Sequence, residues 1–206
     1  MDNPYWSSEN RAHHVNRDAI RAICFDLLNV FGGSKTLADE MMALEAEAIE
    51  LGEAIDLAAS RLWALQTEFA ERAISERLLQ LALLTRTYDD ILRNSSSAQA
   101  YGAHANATRG LDEIGHLEGR DFDLREACNK IVHALIIRPL YEDVDPYVVE
   151  GQGEVQRFWY LTGEIELSGR WRNADWEAVL HVQPFVETVL DRIEFGDPPA
   201  PGDQVE

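Results

Sequence analysis

Apolar residues recur at three- and four-residue steps over most of the stretch from Val15 to Leu92. This spacing places them on one side of an α-helix and predicts helices that each bury a single face. Alanine and glutamate, both strong helix formers, fill many of the positions between them. The sequence therefore predicts a mainly α protein, built as a helical bundle of about four to five helices.

Glycine and serine predict where these helices begin and end. The pair Gly32-Gly33 predicts a stop after the first helix, and Ser34 is a predicted cap for the next one. Leu51-Gly52 marks either a bend or a break, so one long helix or two are both compatible with the pattern. A further helix is predicted from about residue 68 to residue 92, and a short one from 103 to 114.

The segment 124–134 predicts another helix, which carries most of the candidate chemistry. Asp123 is a predicted N-cap, and Glu126 stands at the third helical position, where a capping box places Glu or Gln. Arg138-Pro139 is predicted to close this helix. An apolar row along the helix is expected to face the core, and it consists of Leu124, Cys128, Ile131 and Leu135.

A second row on the same helix is polar. Arg125, Asn129 and His133 follow one another at i, i+4 spacing, which aligns a cation, an amide and an imidazole. Histidine is the side chain whose ordinary pKa lies closest to neutrality. This row therefore places a group able to take and give protons beside groups able to bind an anion.

The run from Cys128 to His133 resembles the signature of the HEPN superfamily of small helical proteins. That signature is an Arg, a polar residue that is often Asn, a short apolar stretch and a His. Asn129, Lys130 and His133 match it in order, whereas Cys128 stands where the family has its Arg. The resemblance implies a helical bundle over roughly residues 40 to 140 and a homodimer in which two motif helices face each other.

The activity implied by this resemblance is metal-independent RNA cleavage, in which the 2′-hydroxyl attacks the neighbouring phosphate. His133 would act as general base or acid, and Asn129 would orient it or donate to a phosphate oxygen. Arg125 or Lys130 would supply the cation that stabilises charge on the phosphate. No metal and no cofactor belong to this mechanism.

Two functions remain open at this point. The first is a bacterial endoribonuclease of the toxin–antitoxin or phage-defence type, favoured by the retained Asn129, Lys130 and His133. The second is a catalytically silent, dimeric HEPN-like module that binds a nucleotide, RNA or a protein partner. Cys128 favours the second, because a thiol lacks the fixed charge of an Arg, and loss of one electrostatic donor slows catalysis about a hundred- to a thousandfold.

Charge and cysteine content restrict the kind of ligand and the cellular compartment that are expected. The chain has 18 Lys and Arg against 37 Asp and Glu, a net charge of −19, which argues against broad, non-specific nucleic-acid binding. Cys24 and Cys128 are far apart and match no metal-binding spacing, as expected in a reducing compartment. No secretory signal and no membrane-spanning apolar run is recognised. A cytoplasmic protein without membrane contact is expected.

The pattern changes in the C-terminal part. Apolar and polar residues alternate over 159–167 and again over 176–182, which predicts an antiparallel β-hairpin followed by a final short helix. The predicted organisation is a flexible arm (1–14), a helical bundle (15–150), the hairpin and helix packed on that bundle (151–195) and a disordered tail (196–206).

Three tryptophans belong to this hairpin. Trp171 lies in the predicted turn, so we expect it to be exposed and available to a partner. Trp159 and Trp176 lie in the alternating runs and are expected in the core.

Overall fold

The described part of the computed structural model consists of residues 15–52, 60–108, 113–144 and 158–195. The predicted arm (1–14) and the predicted tail (196–206) lie outside these ranges. The order of elements in the described residues is α1 (Arg17–Leu51), α2 (Arg61–Arg93), α3 (Ala98–Ala107), β1 (Gly115–Leu117), β2 (Arg120–Asp121), α4 (Leu124–His133), β3 (Ile136–Asp143), β4 (Trp159–Trp171), β5 (Ala174–His181) and α5 (Val182–Ile193). The prediction of a mainly helical chain with a final helix is confirmed.

Helix α1 begins after Asn16, whose side chain accepts hydrogen bonds from the first backbone N–H groups. The prediction that Gly32-Gly33 stops this helix is wrong, because α1 continues through both glycines to Leu51. Ser34 is not a cap but a buried residue inside α1, and its Oγ accepts a hydrogen bond from Leu161 N at 3.1 Å. Packing on the sheet therefore holds the helix together where its local sequence is weak. Gly52, at φ 71°, provides the left-handed cap.

Helix α2 begins earlier than predicted, at Arg61, because Ser60 caps it by accepting from Trp63 N. An ion pair joins it to α1, with 3.1 Å between Arg77 Nε and Asp26 Oδ2. The short helix predicted for 103–114 is shifted, since α3 spans 98–107.

The predicted two-stranded hairpin is part of a larger sheet of five antiparallel strands, in the order β2-β1-β5-β4-β3. The hairpin itself is present, as β4 and β5 pair up to Trp171 and Ala174 beside a two-residue turn. Strands β1 and β2 extend it on one side and β3 on the other. Because a lone hairpin is marginal in water, the added strands and the helices behind them stabilise it.

The prediction that Arg138-Pro139 closes the motif helix is also wrong. Helix α4 ends at His133, and Arg138 and Pro139 lie within β3. Strand β3 is an edge strand, where a proline costs no ladder hydrogen bond if its nitrogen faces outward. The pairing of β3 with β4 is irregular between Pro139 and Tyr141.

One face of the sheet and four of the helices share a single hydrophobic core. Each of these elements places at least one residue at its centre that is at most 1% exposed: Ile20 in α1, Ile74 in α2, Ile131 in α4, Ile165 in β4 and Phe185 in α5. Helix α4 packs against both α2 and β4. Its two ends therefore meet different surroundings, which decides where the motif residues lie.

Candidate functional site

Helix α4 begins as predicted, with Asp123 Oδ1 accepting a hydrogen bond from Glu126 N at 2.9 Å. Leu124, Cys128 and Ile131 are buried, as the apolar row predicts. Leu135 is 77% exposed, so its predicted core position is wrong. The helix has ended before it, and its N–H donates to Ser168 O at 2.8 Å in the link to β3.

Arg125 lies at the start of α4 and is engaged by two carboxylates of α2. Its Nη1 is 2.7 Å from Asp89 Oδ2 and 2.8 Å from Asp90 Oδ1. The hydrogen bonds to Asp90 and Asp89 raise the pKa of the guanidinium. Arg125 therefore holds α4 against α2 and is not a free cation beside the imidazole.

Asp89 is the buried centre of a wider network. Its carboxylate accepts from Arg93 Nε at 2.6 Å, from the Tyr101 hydroxyl at 2.9 Å and from Arg192 Nη1 at 3.3 Å, besides Arg125. Burial alone would raise the pKa of Asp89, but the donors from Arg93, Tyr101 and Arg125 outweigh burial and hold it below 3.8. The network thus keeps a buried carboxylate ionised.

The sequence pattern does not predict this network. Asp89 reads as one of two acidic residues near a helix end, which usually face solvent. A local signal was present, because Arg93 follows Asp89 at i+4, a spacing that brings side chains together on a helix. Tyr101 and Arg192 join through tertiary packing, for which the sequence pattern gives no signal.

Asn129 and Lys130 occupy the middle of α4. The Oδ1 atom of Asn129 is buried and has no hydrogen-bond partner in the part of the chain that the structure describes. Lys130 Nζ lies 4.1 Å above the Trp176 ring, a cation–π contact. Both side chains therefore lie at the edge of the hydrophobic core, with the Asn129 oxygen buried and Lys130 over the Trp176 ring.

His133 is exposed and lies at the opposite end of α4. Its ring centroid is 6.2 Å from that of Trp171. Trp171 is 60% exposed, which confirms the prediction for this residue, and the guanidinium of Arg172 lies 5.9 Å from its ring. We refer to His133, Trp171 and Arg172 as the His–Trp surface.

The two other tryptophans of the hairpin differ from each other. Trp176 is buried, as predicted. Trp159 is 46% exposed, so its predicted core position is wrong. It stands at the beginning of β4, where its neighbour Phe158 takes the buried position and packs with Ala38 and Met41 of α1.

The predicted row is therefore divided between two places. Eight residues at a rise of 1.5 Å put about 12 Å of helix axis between Arg125 and His133. Arg125 belongs to the Asp89 network, and His133 belongs to the His–Trp surface. The structure does not bring the predicted cation and the predicted general base together within one chain.

Cys128, at the position of the family's Arg, is a core residue. It is 1% exposed, and burial, followed by the negative charge of Asp89, raises the pKa of its thiol to about 12. A neutral buried thiol offers no charge to a phosphate.

A cavity of about 300 Å³ opens beside the first turn of α4. Arg93, Arg125 and Arg192 contribute guanidiniums to its lining, and Glu113, Asp121 and Asp123 contribute carboxylates. The sequence pattern gave no indication of this cavity, because its lining comes from α2, α3, α4, α5 and the β1–β2 region.

No protein-family model matches the chain, and neither a curated protein nor a solved structure matches it significantly. The HEPN resemblance therefore depends on the motif residues alone. Within the described ranges, no helix has both the length and the apolar character needed to cross a bilayer. No group of three or more His, Cys, Asp or Glu side chains in those ranges is arranged to hold a metal ion.

Proposed function

We propose that the protein is a catalytically silent, HEPN-like module that binds single-stranded RNA or a nucleotide at the His–Trp surface. The observation that carries this proposal is the engagement of Arg125 by Asp89 and Asp90, at 2.7 and 2.8 Å. The same chain thus keeps an exposed imidazole, while Arg125 is bound by carboxylates and Lys130 lies over the Trp176 ring. The unpaired, buried cysteines support a cytoplasmic location.

The geometry within one chain supports a proposal of binding over one of cleavage. A cation assists phosphoryl chemistry only when its donors lie about 2.7–3.1 Å from the atom on which charge develops. A general base must reach the reacting proton at about 2.6–3.2 Å. Arg125 and His133, separated by about 12 Å of helix and with Arg125 bound to Asp89, do not meet both conditions around one phosphate.

The His–Trp surface has the features of a single-strand binding site. An exposed indole provides a face on which a base can stack, worth about 1–3 kcal/mol per base. Arg172 supplies a cation next to the Trp171 ring, and His133 supplies hydrogen-bonding nitrogens. Since the whole chain carries a net charge of −19, few phosphates would be contacted, so we expect short ligands and a shallow salt dependence.

A binding assay tests this proposal. Trp171→Ala should weaken binding of a labelled single-stranded RNA about tenfold in fluorescence anisotropy, since one stacking partner is lost. Trp159→Ala is the matched control, because Trp159 is also exposed and lies at the other end of β4. Equal losses of RNA affinity in the two variants, or no RNA binding by the wild type, would contradict the proposal. A protein would then be the remaining candidate ligand for this surface.

Homodimerisation is part of the proposal. Leu135 and Ile136, next to His133, are large apolar side chains that are mostly exposed. A second copy covering them would bring two His–Trp surfaces together. Leu135→Glu should yield monomers in sedimentation experiments, whereas Leu44→Glu, at an exposed site on α1, should not. A wild type that is monomeric at micromolar concentration would exclude this assembly.

A metal-independent endoribonuclease of the toxin or phage-defence type is the second candidate. The exposure of His133 beside Trp171 favours it. A nucleotide whose base stacks on Trp171 would bring the 2′-hydroxyl of its ribose close to the His133 imidazole. RNA incubated without added metal separates the candidates. We expect no cleavage by the wild type; cleavage that disappears in His133→Ala would establish the second candidate instead.

A further inference from the structure

The cavity beside the first turn of α4 contains two kinds of charge from two sources. Its guanidiniums belong to helices, with Arg93 on α2, Arg125 on α4 and Arg192 on α5. Its exposed carboxylates belong to the β1–β2 region, with Glu113 before β1 and Asp121 in β2. The cavity is thus lined by positive groups from the helices and negative groups from the sheet edge.

The guanidinium part has more donors than its protein partners can accept. Three guanidiniums carry about fifteen N–H donors, whereas the two carboxylates and the Ala105 carbonyl that they contact offer about ten acceptor positions. One of those positions is taken by the Tyr101 hydroxyl, which donates to Asp89. An acceptor from outside the protein would satisfy the remaining donors.

Arg192 is the group for which this matters most. It is 6% exposed, and its Nε is buried without a hydrogen-bond partner among the described residues. Its other contacts are long, at 3.3 Å to Asp89 Oδ1 and 3.5 Å to the carbonyl of Ala105. A buried, charged group with few acceptors is costly. Because Arg192 also lines the cavity, an acceptor oxygen bound there would lower this cost.

The carboxylate part restricts what this ligand can be. Glu113 and Asp121 are exposed side chains on the lining, and Asp123 adds a third carboxylate that already caps α4. A ligand that is only anionic would be repelled by these groups, and one that is only cationic would be repelled by Arg192. A small molecule carrying one charge of each sign satisfies both.

We propose that this cavity binds a small zwitterion of the α-amino-acid type. Its carboxylate accepts hydrogen bonds from Arg192 and Arg93, and its ammonium group donates to Asp121 and Glu113. The volume of about 300 Å³ lies at the lower end of the range for small-molecule sites, which suits a ligand of this size. This site is separate from the His–Trp surface, and the inference does not depend on RNA binding.

The test begins with a thermal-stabilisation screen of the full chain against the standard L-amino acids, followed by calorimetric titration of the amino acid that stabilises it. The deaminated acid and the decarboxylated amine of that amino acid serve as half-ligands, and inorganic phosphate serves as a simple anion. We expect each half-ligand and phosphate to bind at least about tenfold more weakly than the amino acid.

One variant tests whether the ammonium group of the ligand is bound by Asp121. Asp121→Asn removes an exposed carboxylate from β2, so the fold should be preserved. The variant should bind the amino acid about tenfold more weakly, whereas its affinity for the deaminated acid should be unchanged or higher. Glu76→Gln, at an exposed position on α2, is the matched control and should change neither.

Three results would overturn the inference. The first is a screen in which no amino acid stabilises the protein. The second is a half-ligand or phosphate that binds as tightly as the amino acid. The third is an Asp121→Asn variant that weakens the amino acid and the deaminated acid to the same extent.

Discussion

Arg125 and Asp89 are 36 residues apart in the chain, and 2.7 Å separates Nη1 of Arg125 from Oδ2 of Asp89. This contact joins the first turn of α4 to the last turns of α2. It also removes the predicted cation from the predicted catalytic row. The stability of the fold and the chemistry of the motif therefore depend on the same carboxylate.

Asp89→Asn is predicted to lower the free energy of unfolding by about 3 kcal/mol, because the buried Arg192 guanidinium would lose its counter-ion. The neighbouring Asp90→Asn removes the other carboxylate of Arg125, at a half-exposed position, and should cost about 1 kcal/mol or less. Urea denaturation of both variants measures the difference. Equal losses would show that the burial of Asp89 has no energetic weight.

The pKa of Asp89 predicts a pH dependence of stability. In the folded chain this pKa is held below 3.8, so the native state releases the proton more readily than the unfolded chain. The stabilisation is therefore complete above the unfolded pKa and is lost as the pH falls through the folded one. The stability difference between wild type and Asp89→Asn should shrink as the pH falls below 3.8. A difference that stays constant down to the acid transition would contradict this origin.

Replacing a glycine within α1 by alanine is predicted to stabilise the protein. Gly33 lies inside the helix with an ordinary helical backbone, and a Cβ added there would meet nothing within 4 Å. Gly33→Ala should raise the free energy of unfolding by about 0.5–1 kcal/mol, because alanine loses less backbone entropy on folding. Thermal or urea denaturation measures this gain.

Gly169→Ala is the contrasting substitution. A Cβ there would overlap the Trp176 ring and lie 2.8 Å from the carbonyl oxygen of His133. Overpacking of this kind costs about 1–3 kcal/mol. If Gly33→Ala were as destabilising as Gly169→Ala, α1 would not continue through its glycines in solution.

The parts of the fold that depend on local chemistry could be predicted from the sequence. The N-cap of α4 follows from Asp123 and Glu126, which need only their immediate neighbours. The β4–β5 hairpin follows from alternation on both sides of a polar turn. In both cases the residues that decide the structure are close together in the chain.

The remaining parts depend on distant contacts. Gly32-Gly33 is a local stop signal that is overridden because Ser34, one residue later, is fixed by Leu161 of β4. Pro139 terminates helices, yet here it lies in an edge strand whose partner begins 20 residues further along the chain. The candidate site differs from the prediction for the same reason, since Asp89 meets Arg125 and Arg192 only through tertiary packing.

The buried thiols give a final prediction about the motif itself. Burial raises the pKa of Cys24 to about 11 and that of Cys128 to about 12, so almost no thiolate is present at neutral pH. In the folded protein, labelling of Cys128 by a thiol reagent should be far slower than in the denatured chain, because burial both raises the pKa of the thiol and keeps the reagent away from it. Cys24→Ala isolates the reaction of Cys128. Fast labelling of the native Cys24→Ala protein would contradict this prediction. It would mean that this face of α4 opens to solvent and that Cys128 is accessible as a thiolate.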